Sequence, residues 1–417
     1  TFKVLFNNYK IRRSYINISL LILTLLVVLS TSFADYKTIS LFGTYDRYEG
    51  SLSMLCYLIL FFTAANTNIN NKHVKFINYA LSIVIGINVV IGVLKFWGFD
   101  LIGTDFMRVL LLPESMRNAS LLGSIGSTLE NPNYLSGLFG ALMAYFALMT
   151  LATYEKTGLK VIYLILCISS FILVLSSRSA SGFIGLLAVL VIFIPIIFIM
   201  TSNRIAVLRT LAISFVFLSV VFITMYYRLP TIYNDFLGTV GNIVSFVIPS
   251  NASAQKTIDS NLPEVSKPGA SDISSGRFFI WSRTIDLIYD KPFLGYGAGT
   301  LAYYFPQNDP DKIIYLKSWN SFVSKSHNQY IETAFSFGVP ALLILVILFV
   351  SHLYRSFIDI YRQRMQFGPV RLALLGFFCV YLIQWVFNDT TIGGSVVFWI
   401  LFGVAVSLNY SKETARD

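Results

Sequence analysis

The chain has 417 residues, of which 55% are hydrophobic, 16% aromatic and only 12% charged, with a formal net charge of +10. That is about half the charge of an average soluble protein. The apolar residues also come in long blocks, so a water-soluble domain, a disordered chain, a collagen-like repeat and a small disulfide scaffold are all excluded.

A bilayer span needs roughly 20 mostly apolar residues. Ten such segments can be drawn, near 15–34, 51–67, 76–98, 133–152, 161–176, 182–200, 210–227, 338–354, 372–388 and 394–410. The expected fold class is an all-α polytopic membrane protein of about ten transmembrane helices with one long, partly helical extracytoplasmic loop. Its expected organisation is a first membrane group of about seven spans over 1–227, the loop over 228–337, and the last three spans over 338–417.

Alternate connections differ in charge. The set holding both termini carries 16 of the 31 basic residues but only 4 of the 21 acidic ones. Short cytoplasmic loops retain Lys and Arg, so both termini are expected in the cytoplasm and the long loop outside it. The positive charge is then a topology signal and not a nucleic-acid footprint. The first span, preceded by Lys10, Arg12 and Arg13, reads as a retained signal anchor. Cys56, Cys167 and Cys379 all fall inside spans, which points away from disulfides and thiolate metal sites.

Within the spans ionisable residues are scarce, so coupled ion transport through the bilayer centre looks poorly equipped. The polar residues concentrate on the outer face. In Glu130-Asn131-Pro132-Asn133, Asn131 is placed to cap a helix that starts at Pro132, leaving Asn133 available to a ligand. Arg178 lies in a tight turn, Ser176-Ser177-Arg178-Ser179-Ala180-Ser181-Gly182. There a guanidinium, the hydroxyls of Ser177 and Ser179 and turn amides can hold a diphosphate; a lipid-facing snorkelling role is equally compatible with the turn.

In the long loop, residues 251–275 are rich in Ser, Asn, Pro and Gly and read as flexible. The spacing of Phe278, Phe279, Ile280, Trp281, Ile285, Leu287 and Ile288 predicts a helix over 277–290 on the membrane surface, ended by Lys291-Pro292. Arg283 has Asp286 at i+3, whereas no acid stands three or four residues from Arg277, which is therefore open to an anionic ligand. Gly295-Tyr296-Gly297-Ala298-Gly299 follows no βαβ strand and is not a nucleotide loop. Asp309-Pro310-Asp311 reads as a turn, and without His or Cys nearby no metal site is expected. His327, in Ser326-His327-Asn328-Gln329, is the one outer histidine. Its type suits proton abstraction at neutral pH. Ser326 with Gln329 has capping-box spacing for a helix entering the membrane.

Four places carry a resemblance: Leu41-Phe42-Gly43 through Arg47-Tyr48-Glu49-Gly50; Asn131-Pro132-Asn133-Tyr134-Leu135; Ser177-Arg178-Ser179-Ala180-Ser181-Gly182; and a long-loop set. That set runs from Arg277 to Trp281, through Lys291-Pro292-Phe293-Leu294-Gly295-Tyr296-Gly297 and Gly299, to His327-Asn328 and Gly338. In their order and placement they resemble the bacterial O-antigen ligase and polymerase superfamily, membrane glycosyltransferases of GT-C type. The resemblance implies a cofactor-free, metal-independent, inverting transfer outside the bacterial cytoplasmic membrane. The donor would be an undecaprenyl-diphosphate-linked glycan, and the acceptor a hydroxyl on a glycan or lipid. It further implies His327 as the base and Arg178 and Arg277 as the diphosphate grip, with Arg47, Asn133, Asn328, Ser177, Ser179 and Arg283 as possible substrate contacts. A diphosphate is a good leaving group that needs charge stabilisation more than a general acid, so one base and two arginines suffice. Ligase, polymerase and protein O-oligosaccharyltransferase remain open at this stage; the lack of a domain after Asp417 points away from a protein acceptor. A transporter or flippase of lipid-linked oligosaccharide is the alternative, and it would call for arginines lining a path through the bilayer and for two similar halves.

Overall fold

The computed structural model describes residues 15–45, 47–96, 98–111, 114, 127–129, 131–153, 157–177, 179, 182, 189–200, 203–228, 276–316, 321–363 and 368–410. Among them there are helices and no strands. In chain order the α-helices are α1 (Tyr15–Phe33), α2 (Lys37–Phe42), α3 (Ser51–Asn66), α4 (Asn71–Phe96), α5 (Asp105–Leu111), α6 (Pro132–Ala152), α7 (Thr157–Ser176), α8 (Ile194–Met200) and α9 (Arg204–Arg228). After the long loop's undescribed part come α10 (Arg277–Asp290), α11 (Leu301–Tyr304), α12 (Asp311–Leu316), α13 (Gln329–Phe337), α14 (Val339–Gln363), α15 (Pro369–Phe387) and α16 (Ile392–Tyr410).

Seven of these helices, α1, α4, α6, α7, α14, α15 and α16, are long and apolar enough to cross a membrane, so the protein is an all-α polytopic membrane protein. Of the other expected spans, the one at 51–67 is the shorter apolar helix α3, and the one at 210–227 falls within α9. Part of the one at 182–200 lies outside the described residues; its end is a π-turn, Val189–Phe193, leading into α8.

Helix α6 is the centre of the bundle: 89% of its apolar window is buried, against 28% for α1. Its sequence explains this position. Gly137, Gly140, Ala141 and Ala144 present small residues at helical spacing, which lets neighbouring backbones approach closely. A Cβ at Gly140 would stand 2.9 Å from the Cα of Gly182. Helices α7 and α15 pack along α6, and α16 packs along α3. Aromatic side chains of α14, α15 and α16 fill the space between these pairs, with the Phe378 and Phe402 rings 4.6 Å apart and those of Trp385 and Phe398 4.8 Å apart. One apolar core therefore spans helices from both sides of the long loop.

The helix expected over 277–290 is α10. Its inner face, Phe279 and Ile280, joins Tyr296, Leu301, Phe305, Val323 and Phe335 in a second, smaller core belonging to the loop itself. The loop is bolted to the end of α13 by backbone bonds: Tyr296 N donates to Phe335 O at 2.9 Å, Gly297 N to Ser336 O at 2.9 Å, and Val339 N to Pro292 O at 2.7 Å. Such close backbone approach explains the glycines. At Gly338 (φ +86°) a side chain would run into the carbonyl oxygen of Phe293. Gly338→Ala is expected to cost about 1–3 kcal/mol, read as a lowered unfolding temperature in detergent. Gly368 has a similar φ of +83° but open space around it, so Gly368→Ala isolates the backbone part; equal losses for the two would show that the docking contact contributes nothing.

Helix α15 separates two polar ends. Over its 19 residues it rises about 28 Å. Near its start Arg371 donates to Asp359 (2.7 Å), Gln363 (2.9 Å) and Asn409 (3.0 Å), so this basic residue, assigned by sequence to a connection, is a buried structural tie. Just past its other end lies Asp389.

Candidate functional site

Between α15 and α16 the chain turns through Asn388-Asp389-Thr390-Thr391. Asp389 is buried, with its side chain 1% exposed, and three elements converge on its carboxylate. His327 Nδ1 lies 3.0 Å from Oδ1. On Oδ2, the Tyr134 hydroxyl of the first turn of α6 donates at 2.8 Å and Arg47 Nη1 at 3.3 Å. Burial alone pushes the carboxyl up. The hydrogen bond and charge of His327, with the charges of Lys325 and Arg47, outweigh it and hold the carboxyl well below the usual carboxylate range. An ionised carboxylate only accepts, so Nδ1 of His327 carries a proton, and in the neutral ring the lone pair is on Nε2. The His327 side chain is 41% exposed.

His327 adopts a left-handed backbone (φ +53°), which histidine tolerates better than most residues and which its surroundings enforce. Trp281 Nε1 donates to the preceding carbonyl, Ser326 O, at 2.9 Å, and Ser326 Oγ donates to Asn328 O at 2.9 Å. Asn328 is the cap of α13, its Oδ1 accepting from Tyr330 N (2.9 Å) and Ile331 N (3.1 Å). The Ser326/Gln329 capping box expected from spacing is therefore displaced to Asn328. These bonds give the Oδ1 of Asn328 a structural task.

Beneath His327 lies a buried ionic group. Lys325 Nζ is 3.0 Å from Glu49 and 3.9 Å from Glu332, and Ser326 N donates to the other Glu332 oxygen at 3.0 Å. Burial disfavours the ammonium, but Glu49, Glu332 and Asp389 more than compensate and keep Lys325 charged. This knot ties the 43–50 loop to α13 from below, as Arg47 ties it to Asp389 from the side. Cavities of only about 20 and 50 Å³ adjoin these groups. Neither has room for a sugar.

Arg277 opens α10 one turn before Trp281 and hence on the same face. Among the described residues its guanidinium has no hydrogen-bond or ion-pair partner. Burial pulls it down from its usual value while Asp389 acts in the opposite direction, and it stays protonated at neutral pH. Arg283 differs: it is held by Asp309 (2.7 Å), Asp311 (3.2 Å) and Asp286 (3.8 Å). The i+3 partner expected from sequence is thus the weakest of three, and the Asp309-Pro310-Asp311 turn is a clasp for α10.

Arg178 lies outside the described residues, but its neighbours do not. Ser179 Oγ donates to Asn133 Oδ1 at 2.7 Å, and Ser177 Oγ donates to Val174 O at 2.6 Å. Asn131 caps α6 as expected, accepting from Asn133 N at 2.8 Å. Asn133 and Ser179 therefore fasten the turn to the start of α6, next to Tyr134, while Ser177 bonds back to the last turn of α7. No group of His, Cys, Asp and Glu with metal-binding geometry occurs among the described residues.

Residues 164–346 match the family model described as O-Antigen ligase. Over that stretch the chain is similar to O-antigen ligases. The superfamily indicated by its motifs is the one found. No curated protein matches the chain. The matched stretch contains Arg277 and His327, whereas Asp389, Tyr134, Arg47 and Glu49 reach the same site from outside it. Sequence reasoning named Arg47 and quoted Glu49 and Tyr134 within motifs but missed Asp389, Lys325 and Glu332. The one available signal was a polar tetrapeptide, 388–391, between two apolar spans on the expected outer side.

Proposed function

We propose that this protein is a membrane glycosyltransferase that moves a glycan from undecaprenyl diphosphate to a hydroxyl acceptor on the outer face of the cytoplasmic membrane, as a surface polysaccharide ligase or polymerase. The observation that carries the chemistry is the contact between His327 and the buried Asp389, which leaves Nε2 as the base. Nε2 takes the proton of the acceptor hydroxyl as its oxygen attacks the anomeric carbon. The bond from that carbon to the phosphate oxygen breaks, its electron pair leaves with the diphosphate, and the anomeric centre inverts. Arg277, charged and unpaired, fits the growing negative charge on the leaving group, a task that Arg178 would share. Asp389 keeps the imidazole in the productive tautomer and stabilises the imidazolium that forms. The chemistry asks nothing of a second carboxylate at the sugar, unlike glycoside hydrolysis.

The test is transfer in proteoliposomes supplied with purified undecaprenyl-diphosphate glycan and candidate acceptors. A ladder of lengthened lipid-linked product identifies a polymerase, and a single step onto an added acceptor identifies a ligase. Movement of the donor across the bilayer with no new glycosidic bond would overturn the proposal in favour of a transporter. In the same assay Arg277→Ala is expected to lower kcat/KM for the donor about 10- to 100-fold, the worth of one charged hydrogen-bonding pair. Arg277→Lys should recover only part, because it restores the charge without the fork.

A further inference from the structure

A further cavity lies far from this site. It has a volume of about 840 Å³ and is lined in part by Gly368, Pro369 and Val370 at the start of α15, so the length of that helix separates it from Asp389. Lys75, Asn78 and Ser82 form a polar stripe along α4 on one wall, at the spacing of a single helical face. Ile162 and Leu166 of α7 and Leu372 of α15 make the other walls apolar.

The cavity is built rather than incidental. Tyr145 of α6 donates to Asn78 Oδ1 at 2.8 Å, and Asn78 Nδ2 donates to the Tyr163 hydroxyl of α7 at 3.3 Å. This strut crosses three helices and holds apart walls that close packing would otherwise bring together. In its lining Lys75 is exposed; Lys72, one residue past the start of α4, and Lys160, in the first turn of α7, lie near these helix starts in sequence but are not part of the lining. No carboxylate is among the described lining residues. The sequence between α6 and α7 adds one acid and one base, Glu155 and Lys156, which lie outside the described residues.

An apolar slot with a cationic, hydrogen-bonding wall suits a ligand with a fatty tail and an anionic head. The geometry points to a binding site for one anionic glycerophospholipid, its phosphate at Lys75 beside Asn78 and Ser82, and an acyl chain along Ile162, Leu166 and Leu372. A zwitterionic lipid could fill the slot equally well but would gain less from Lys75. This inference is independent of the transfer reaction.

The full chain would be purified in detergent, incubated with vesicles of equimolar phosphatidylglycerol and phosphatidylethanolamine, and its retained lipid weighed by native mass spectrometry. Phosphatidylglycerol should be preferred about fivefold or more, and Lys75→Gln should reduce that preference about fivefold, the contribution of one lysine. Leu166→Trp, which fills the slot, should lower retention of both lipids. Equal retention by the intact chain overturns the site, as does a preference unchanged by Lys75→Gln. Should Leu166→Trp fail to fold, shown by its melting profile, the exposed Lys75 variant alone decides.

Discussion

Replacing His327 with Asn is expected to lower glycan transfer about 10²- to 10⁴-fold, the usual worth of a positioned general base. The effect should fall on kcat, because the side chain meets the acceptor proton while Arg277 and its neighbours still hold the donor. Asn is the informative replacement. Its side chain can still hydrogen-bond Asp389, and like histidine it tolerates the left-handed backbone at this position. His327→Ala should lose as much activity, with a further backbone cost of about 1–2 kcal/mol visible in the melting temperature. Added imidazole, which diffuses into the space left by the ring, should restore part of the transfer in the Ala variant. A His327→Asn protein that still transfers at the wild-type rate would remove the base from the mechanism, whatever the family.

Asp389→Asn should be the second most damaging change, on the order of 10³-fold in kcat, and the geometry says why. Tyr134 and Arg47 both donate to Oδ2, so an amide placed here must turn its oxygen toward them and its NH₂ toward His327. Nδ1 would then have to accept, which moves the ring proton to Nε2 and blocks the base. Donor KM should change little, whereas a purely structural role for Asp389 would appear as less folded protein with normal turnover.

The same carboxylate predicts a pH dependence of stability. Folding depresses its pKa, so its stabilising contribution is fully present above the ordinary carboxylate value of about 3.9 and is lost as the pH falls through the lower folded value. The intact chain should therefore lose thermal stability on acidification in that region, and Asp389→Asn should lack that part of the loss.

How much of this was legible in the sequence depends on the range of the interaction involved. Local patterns translated well. The apolar face over 277–290 became α10 with those bounds, and Asn131 capped α6, because helix periodicity and caps are settled by residues within one or two turns. The capping box at Ser326 failed for a local reason as well: Asn328 competes for the same amides and wins. The expected Arg283–Asp286 pair forms but is the longest of three, because an i+3 contact in solvent is weak and a better partner, Asp309, arrives from another segment.

By itself the sequence determined the solvent and indicated the superfamily. Long apolar runs must be buried in lipid or in one another, and the order of the motifs around His327 and Arg277 carried the resemblance to O-antigen ligases. Only the tertiary structure decided which groups work together. Asp389 lies 62 residues from His327, Tyr134 lies 255 residues from Asp389 and Arg47 lies 342 from it. No periodicity links such positions. They meet because α6, α15 and the 43–50 loop end at the same level of one packed bundle, and a buried carboxylate there must collect every donor within reach to remain charged.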